Sequence, residues 1–423
     1  MKKKIVLIAL FIFMFQSIIG NVGFKAEAAD NTNVNFEAAD SQKTTDTTIR
    51  FNPDGKLKIL HVADTHLDND KYFDASIWVI AEACDIEKPD LVVLTGDNVA
   101  PSENPEETKK LINALMNIFE SRGIPVAVTF GNHDSEKGPM TRADIMEYYK
   151  TFSCVITAED KDAFRNCATF NIPVLASDSD KVNFNLWVFD SGDYDEDEPR
   201  HYDRVRTEQI EWYKETSAKL KEENGGKAVN SVVFQHIIVP EIYDVLKKVN
   251  TWRPFAVEHI YNKGEYYTFD SANTNYGTLN EKPCPGYYND GQFDAHVETG
   301  DVLAMFTGHD HTNAFGVRNQ NIDIFTSPMT RYKGLAYTTQ YGYRVVEIDE
   351  KDTSTYETRV ERLFDVFDYD YIKTAKDNGD KYSTKIAWEL AIKGSVQKAF
   401  MKVYQSIIEF FSCRTVTYPD YLR

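Results

Sequence analysis

The sequence predicts an α/β domain, and three features carry that expectation. Short runs rich in Val, Leu and Phe recur along the chain, stretches with helical apolar spacing separate several of them, and the runs end in loops of Asp, Asn, His and Gly. Runs that are apolar at every position suit strands buried on both faces. Alternating such strands with amphipathic helices builds a layered α/β fold.

From Ile49 an Asn52-Pro53-Asp54-Gly55 turn joins two short strand-like runs, the second being Leu57–Ala63. Leu91–Leu94, Val126–Phe130, Val232–Phe234 and Val302–Phe306 follow as further strands. Between the second and third of these five, Asn104-Pro105-Glu106-Glu107 supplies a cap, a first-turn proline and a third-position glutamate. Leu111, Ile112, Leu115, Ile118 and Phe119 continue that helix with one apolar face, and Gly123 ends it. A second helix runs from Thr207 to about Asn224 and closes at Gly225-Gly226. Residues 350–365 read as a closing strand pair. Beyond them Trp388, Ile392, Val396, Phe400, Val403, Ile407 and Phe411 fall at helical spacing. This predicts a helix docked on the main domain through that row, with a membrane-surface or partner helix as the alternative.

The ends set the domain boundaries. Lys2, Lys3 and Lys4, an apolar stretch Ile5–Ile19 and Ala26-Glu27-Ala28 give residues 1–28 the form of a cleaved signal peptide, with export as the consequence. Residues 29–48 are polar and aperiodic, as a flexible linker. Residues 49–365 form the main domain and 366–423 a C-terminal helical extension. The chain of 423 residues carries a net charge of −19; cleavage after Ala28 removes four lysines and one glutamate and leaves −22. That excludes a general nucleic-acid partner, which needs a cationic surface. Five cysteines without a CxxC pair give thiolate zinc no support; Cys84 reads as a buried small hydrophobe, and Cys154 and Cys167 are a possible disulfide.

The chemistry sits in the loops. Asp64-Thr65-His66, Gly96-Asp97-Asn98, Gly131-Asn132-His133-Asp134, His236 and Gly308-His309-Asp310-His311 each follow one apolar run. Sites in open α/β sheets form at the carboxyl ends of strands, so these five loops can meet in one crevice. Carboxylate, imidazole and amide oxygen without sulfur are hard or borderline metal donors. They are numerous enough for two cations, which a carboxylate such as Asp97 can bridge. Glycines at 96, 131 and 308 allow sharp turns and close approach.

Taken in this order, Asp-x-His, Gly-Asp, Gly-Asn-His-Asp, His and Gly-His-x-His resemble the calcineurin-like metallophosphoesterase superfamily over residues 56 to about 348. The segments Lys58–Asp64, Asp190-Ser191-Gly192-Asp193-Tyr194 and Asn289-Asp290-Gly291 look most like its purple-acid-phosphatase branch. The resemblance implies two mixed β-sheets packed as a sandwich between helices, and a dinuclear site. One metal would be held by Asp64, His66, Asp97 and His311, the other by Asp97, Asn132, His236 and His309. His133 would be the acid or transition-state donor, oriented by Asp134. The branch's tyrosine ligand, three residues after the bridging aspartate, is replaced by Ala100. Purple colour is therefore not expected, and Mn, Fe or Zn are the candidate ions.

The implied activity is hydrolysis of phosphate esters by a hydroxide shared between the two ions, with a small phosphorylated substrate. A phosphomonoesterase leads; a phosphodiesterase for cyclic nucleotides or lipid headgroup esters, and a metal-binding surface protein without turnover, are the alternatives. Trp252, Phe255, Tyr261, Tyr266, Tyr267, Phe269, Tyr287 and Tyr288 are candidates to wall a substrate pocket or to pack their own core. Arg200, His201, Arg204 and Arg331 are possible substrate contacts, whereas His61, inside a strand, reads as structural.

Overall fold

The computed structural model describes residues 47–100, 102–136, 138–156, 168–196, 198, 200–251, 256–333 and 340–412. The predicted signal peptide, nearly all of the linker, Cys167, Trp252 and Phe255 lie outside the described residues. In chain order the elements are β1 (Lys56–Val62), α1 (Phe73–Glu87), β2 (Leu91–Leu94), α2 (Pro105–Glu120), β3 (Val126–Val128), α3 (Arg142–Tyr149) and β4 (Val155–Ile156). Next come β5 (Phe170–Leu175), β6 (Val182–Phe189), α4 (Thr207–Glu223), β7 (Ser231–Gln235), β8 (Leu246–Val249), β9 (Val257–Glu258), β10 (Tyr266–Phe269), β11 (Thr274–Thr278) and α5 (Gln292–Thr299). The last are β12 (Val302–Thr307), β13 (Ala314–Asn319), β14 (Ile322–Thr326), β15 (Gly342–Asp349), β16 (Glu357–Arg362), α6 (Tyr369–Asp377) and α7 (Lys381–Ser412).

Two mixed sheets form the centre, one ordered β16-β15-β1-β2-β3-β4 and the other β11-β13-β14-β12-β7-β6-β5. Strands β1 to β4 run parallel, as do β6, β7, β12 and β14, while the outer strands pair antiparallel. Period-two side-chain alternation explains the unbroken apolar runs. Leu57, Ile59, Leu91 and Val93 face Val232, Phe234, Ala304 and Phe306 of the opposite sheet in one core. Leu60, Val62, Val92 and Leu94 point the other way, into α1, α2 and α3. Val233 and Met305 likewise pack under α4 and α5. The result is the expected helix–sheet–sheet–helix layering.

Asn104 caps α2 as read, its side chain accepting the Glu106 amide at 3.1 Å. Only β16 falls within the predicted span 350–365; its partner β15 ends at Asp349, before that span begins. Residues 246–269 add a small sheet, β8-β10-β9, that holds Tyr266, Tyr267 and Phe269. Tyr267 and Phe269 pack into the core beneath that sheet, so they take the packing role and not the pocket role.

One expectation is overturned. Helix α7 does dock, but through Ile386, Ala387, Leu390 and Gly394, the last against Phe364. The Trp388, Ile392, Val396 and Val403 row lies on the exposed side. The helix has a second apolar face of small and branched residues, and their close fit against α6 and the helical turn Leu363–Val366 wins the contact. Trp78 of α1 fixes this junction, its ring tilted at 39° against Phe367 at 4.7 Å and its N–H donating to Ser383 Oγ at 2.9 Å.

Candidate metal centre

The carboxyl ends of β1, β2, β3, β7 and β12 lie side by side, because these strands are parallel within each sheet and the sheets pack face to face. The loops touch directly. Gly96 has φ +98°, and a Cβ there would sit 2.1 Å from the Gly131 nitrogen. A Cβ on Gly308 would meet Asp64 Oδ2 at 2.6 Å. Four site residues, Asp64, His66, Asp97 and His309, adopt φ between 38° and 71° without being glycine. Each costs about 1–3 kcal/mol, a strain that clusters at functional sites.

Two ligand groups result. Donor atoms of Asp64, His66, Asp97 and His311 all lie within 4.8 Å of one another, as do those of Asp97, His236 and His309. Asp97 is common to both. Its Oδ1 accepts the His133 amide at 2.7 Å, while Oδ2, buried and without a hydrogen-bond donor, lies 3.4 Å from His66 Nε2 and 3.3 Å from His236 Nε2. Asn132 joins the second group, its Oδ1 3.1 Å from His236 Nε2. His66 and His311 approach Nε2 to Nε2 at 3.0 Å, and His309 Nδ1 stands 3.2 Å from His236 Nε2. Imidazole nitrogens this close cannot all carry protons. The crowding of lone pairs around an orphaned carboxylate oxygen suits a pair of cations.

Neighbours set the donors. His236 Nδ1 donates to the Thr95 carbonyl at 3.0 Å, which leaves Nε2 facing the centre. Burial pushes Asp64 up to about 7 and draws His66 down to about 3 and His311 to about 4. Those imidazoles are thus neutral and able to ligate. Burial also opposes a proton on His236, but Asp97, Asp64 and Asp134 outweigh it and raise the group to about 9. A divalent ion would take that proton's place.

Nine residues were predicted for the site, and the structure brings all of them to one crevice, with one role corrected. Asp134 does not orient the His133 ring. Its buried carboxylate accepts the backbone N–H of Asp97 at 2.7 Å, Asn98 at 2.9 Å and Gly131 at 2.7 Å, tying two loops together. The ring partner of His133 is Glu136, whose Oε2 lies 2.7 Å from Nδ1. Sequence reading passed over Glu136, although an acid three residues after the histidine was a usable signal. It also missed Tyr194, whose hydroxyl accepts from Asn132 Nδ2 at 3.0 Å, and Tyr202, edge-on to His309 at 4.4 Å. Arg142 braces the same loop from the Gly131 carbonyl to Asp190.

The possible substrate arginines are committed elsewhere. Arg331 is buried, donating to the His66 carbonyl and to Asp70 Oδ2 at 2.7 Å, so it supports a ligand loop. Arg204 pairs with Asp290 at 2.6 Å and Arg200 with Glu198 at 2.7 Å. His61 is structural, bridging Thr95 and Ser327. Spacing gave no sign of Cys284, which lies within 4.8 Å reach of His309 and Asp310. Burial, Asp310 and Glu281 push its thiol well up.

Comparison with known proteins gives the family of the chain. The calcineurin-like phosphoesterase family model matches residues 57–313. The chain is 30% identical over 342 residues to "Probable inactive purple acid phosphatase 14" of Arabidopsis thaliana, covering 72% of this chain and 78% of that one. It is 24% identical over 293 residues to "Phosphatase DCR2" of Saccharomyces cerevisiae, covering 63% and 46%. A dimetal phosphatase structure from Danio rerio aligns at 11% identity and TM-score 0.43 over 72% of this chain and 98% of that one. With more than half of its length matched, the chain belongs to the calcineurin-like phosphoesterase family.

Proposed function

We propose that the protein is an exported, two-metal phosphomonoesterase. One observation carries this reading: Asp97 Oδ2 is buried, free of hydrogen-bond donors and shared by two complete sets of donors. The Arabidopsis relative bears "inactive" in its name; here every ligand position is filled, which supports turnover. Asp64, His66, Asp97 and His311 would hold one ion, and Asp97, Asn132, His236 and His309 the other. Export rests on the basic and apolar N-terminal sequence.

When bound, the two ions would activate water and offset charge on the phosphoryl oxygens. The chain supplies the rest. His133 stands at the mouth, its side chain 36% exposed and its ring 5.5 Å from that of His66. Glu136 holds Nδ1, leaving Nε2 to pass a proton to the departing oxygen. Tyr194 and Tyr202 stack at 5.7 Å beside the second donor set, and His201 stacks on Tyr287 at 3.8 Å. This aromatic wall suits the apolar or planar part of an ester.

The test is hydrolysis of p-nitrophenyl phosphate against its bis ester, after apo protein is reloaded with Mn, Fe(II) or Zn. Faster monoester turnover supports the reading. Preference for the bis ester makes the protein a diesterase, and inactivity on both with two ions bound makes it a metal-binding protein.

A further inference from the structure

Helix α7 has two apolar faces, and among the described residues only one is packed against the domain. Ile386, Ala387 and Leu390 are buried against the domain, whereas Trp388, Ile392, Val396 and Val403 are 46%, 50%, 48% and 58% exposed. Their spacing keeps these four in one row, which at 1.5 Å per residue extends about 22 Å. Single exposed apolar residues are ordinary, but an aligned row marks a binding surface.

Charge identifies what the row meets. The helix carries Lys381, Lys385, Lys393, Lys398 and Lys402 against Glu389 and Glu409, a net +3 within a chain of −19. Lys381 and Lys385 are exposed on the turns preceding Trp388, and Lys402 is exposed beside Val403. Glu389 is engaged by Lys393 and lies 3.5 Å from Lys333, so it does not cancel Lys381 and Lys385. No helix among the described residues is long and apolar enough to cross a membrane.

We propose that this face of α7 lies on an anionic lipid surface, with the apolar row among the acyl chains and the lysines at the headgroups. A second copy fits worse, because two such faces would oppose lysine rows. The remainder of the chain, strongly acidic, is repelled by the same surface, so α7 alone faces it.

The exported chain from Ala29 onward should sediment with vesicles of phosphatidylcholine and phosphatidylglycerol but not with phosphatidylcholine alone, and added salt should weaken binding. Ile392→Glu with Val396→Glu should lower the bound fraction about tenfold or more. Lys381→Gln, Lys385→Gln and Lys402→Gln together should lower it similarly and flatten the salt dependence. These positions are exposed, so the thermal midpoint should hold and report that the variants are folded. Failure to bind either vesicle, equal binding to neutral vesicles, or variants that bind like the wild type would overturn the proposal. So would a vesicle-free dimer in sedimentation velocity that Ile392→Glu dissociates, which would assign the face to a second copy.

Discussion

Asp134 accepts the backbone N–H of Asp97 at 2.7 Å, so the residue common to both donor groups is held by the acid that sequence order assigns to its neighbour, His133. The same side chain receives the Asn98 and Gly131 amides, and no water is needed to satisfy it. Asp134→Asn replaces one acceptor oxygen by a donor facing N–H groups. Urea unfolding should show a loss of about 2–3 kcal/mol, together with weaker metal retention. Unchanged stability would show that these amide contacts are dispensable.

His133 and Glu136 should separate binding from chemistry. His133→Asn is expected to keep two ions by elemental analysis while kcat falls by about 10²–10⁴-fold. Glu136→Gln removes the charge at Nδ1 but keeps a hydrogen-bond acceptor; kcat should fall less, with KM little changed. A metal-replete His133→Asn at wild-type rate would remove the histidine from the chemistry.

Asp97→Asn should lose the ions altogether. A neutral amide can neither bridge two cations nor offset their repulsion, so both sites should empty on dialysis. In wild-type protein loaded with ferric ion no visible charge-transfer band is expected, because Ala100 offers no phenolate. Absorption spectra of the iron-loaded protein check this directly.

Glu120, at the end of α2, ties down the segment before β4. Burial disfavours its charge, but donors from Ser153 at 3.1 and 2.8 Å and from the Cys154 amide at 2.9 Å outweigh that and hold it below the usual glutamate range. A carboxyl depressed on folding adds stability above its unfolded value and loses it as pH falls through the folded one. Acid unfolding should therefore be less steep in Glu120→Gln across that interval. Parallel curves for the two proteins would remove Glu120 from the acid response.

Much of the fold was legible because burial on both faces leaves an unbroken apolar run, and β2, β3, β7 and β12 all show one. The candidate donors were legible for a related reason: loops at the ends of parallel strands can converge, so each run pointed to its own Asp, Asn or His. Side-chain partners were not. Asp134 and Glu136 are both acids within three residues of His133, and only the path of the loop decides which one turns inward to the amides. Arg331 shows the same limit, since a lone arginine in sequence can serve substrate or backbone alike.

Sequence alone determined the α/β class and the five strand-end loops that carry candidate metal donors, because strand periodicity and donor chemistry are local properties; the full donor set with a shared Asp97 is what the family resemblance implies. Tertiary structure decided that Asp134 is a hub for backbone amides, that Glu136 holds the His133 ring, and which face of α7 docks. Those outcomes depend on competition between surfaces distant in the chain. Two acids compete for one cluster of amides and two apolar faces for one groove, and only packing ranks such rivals.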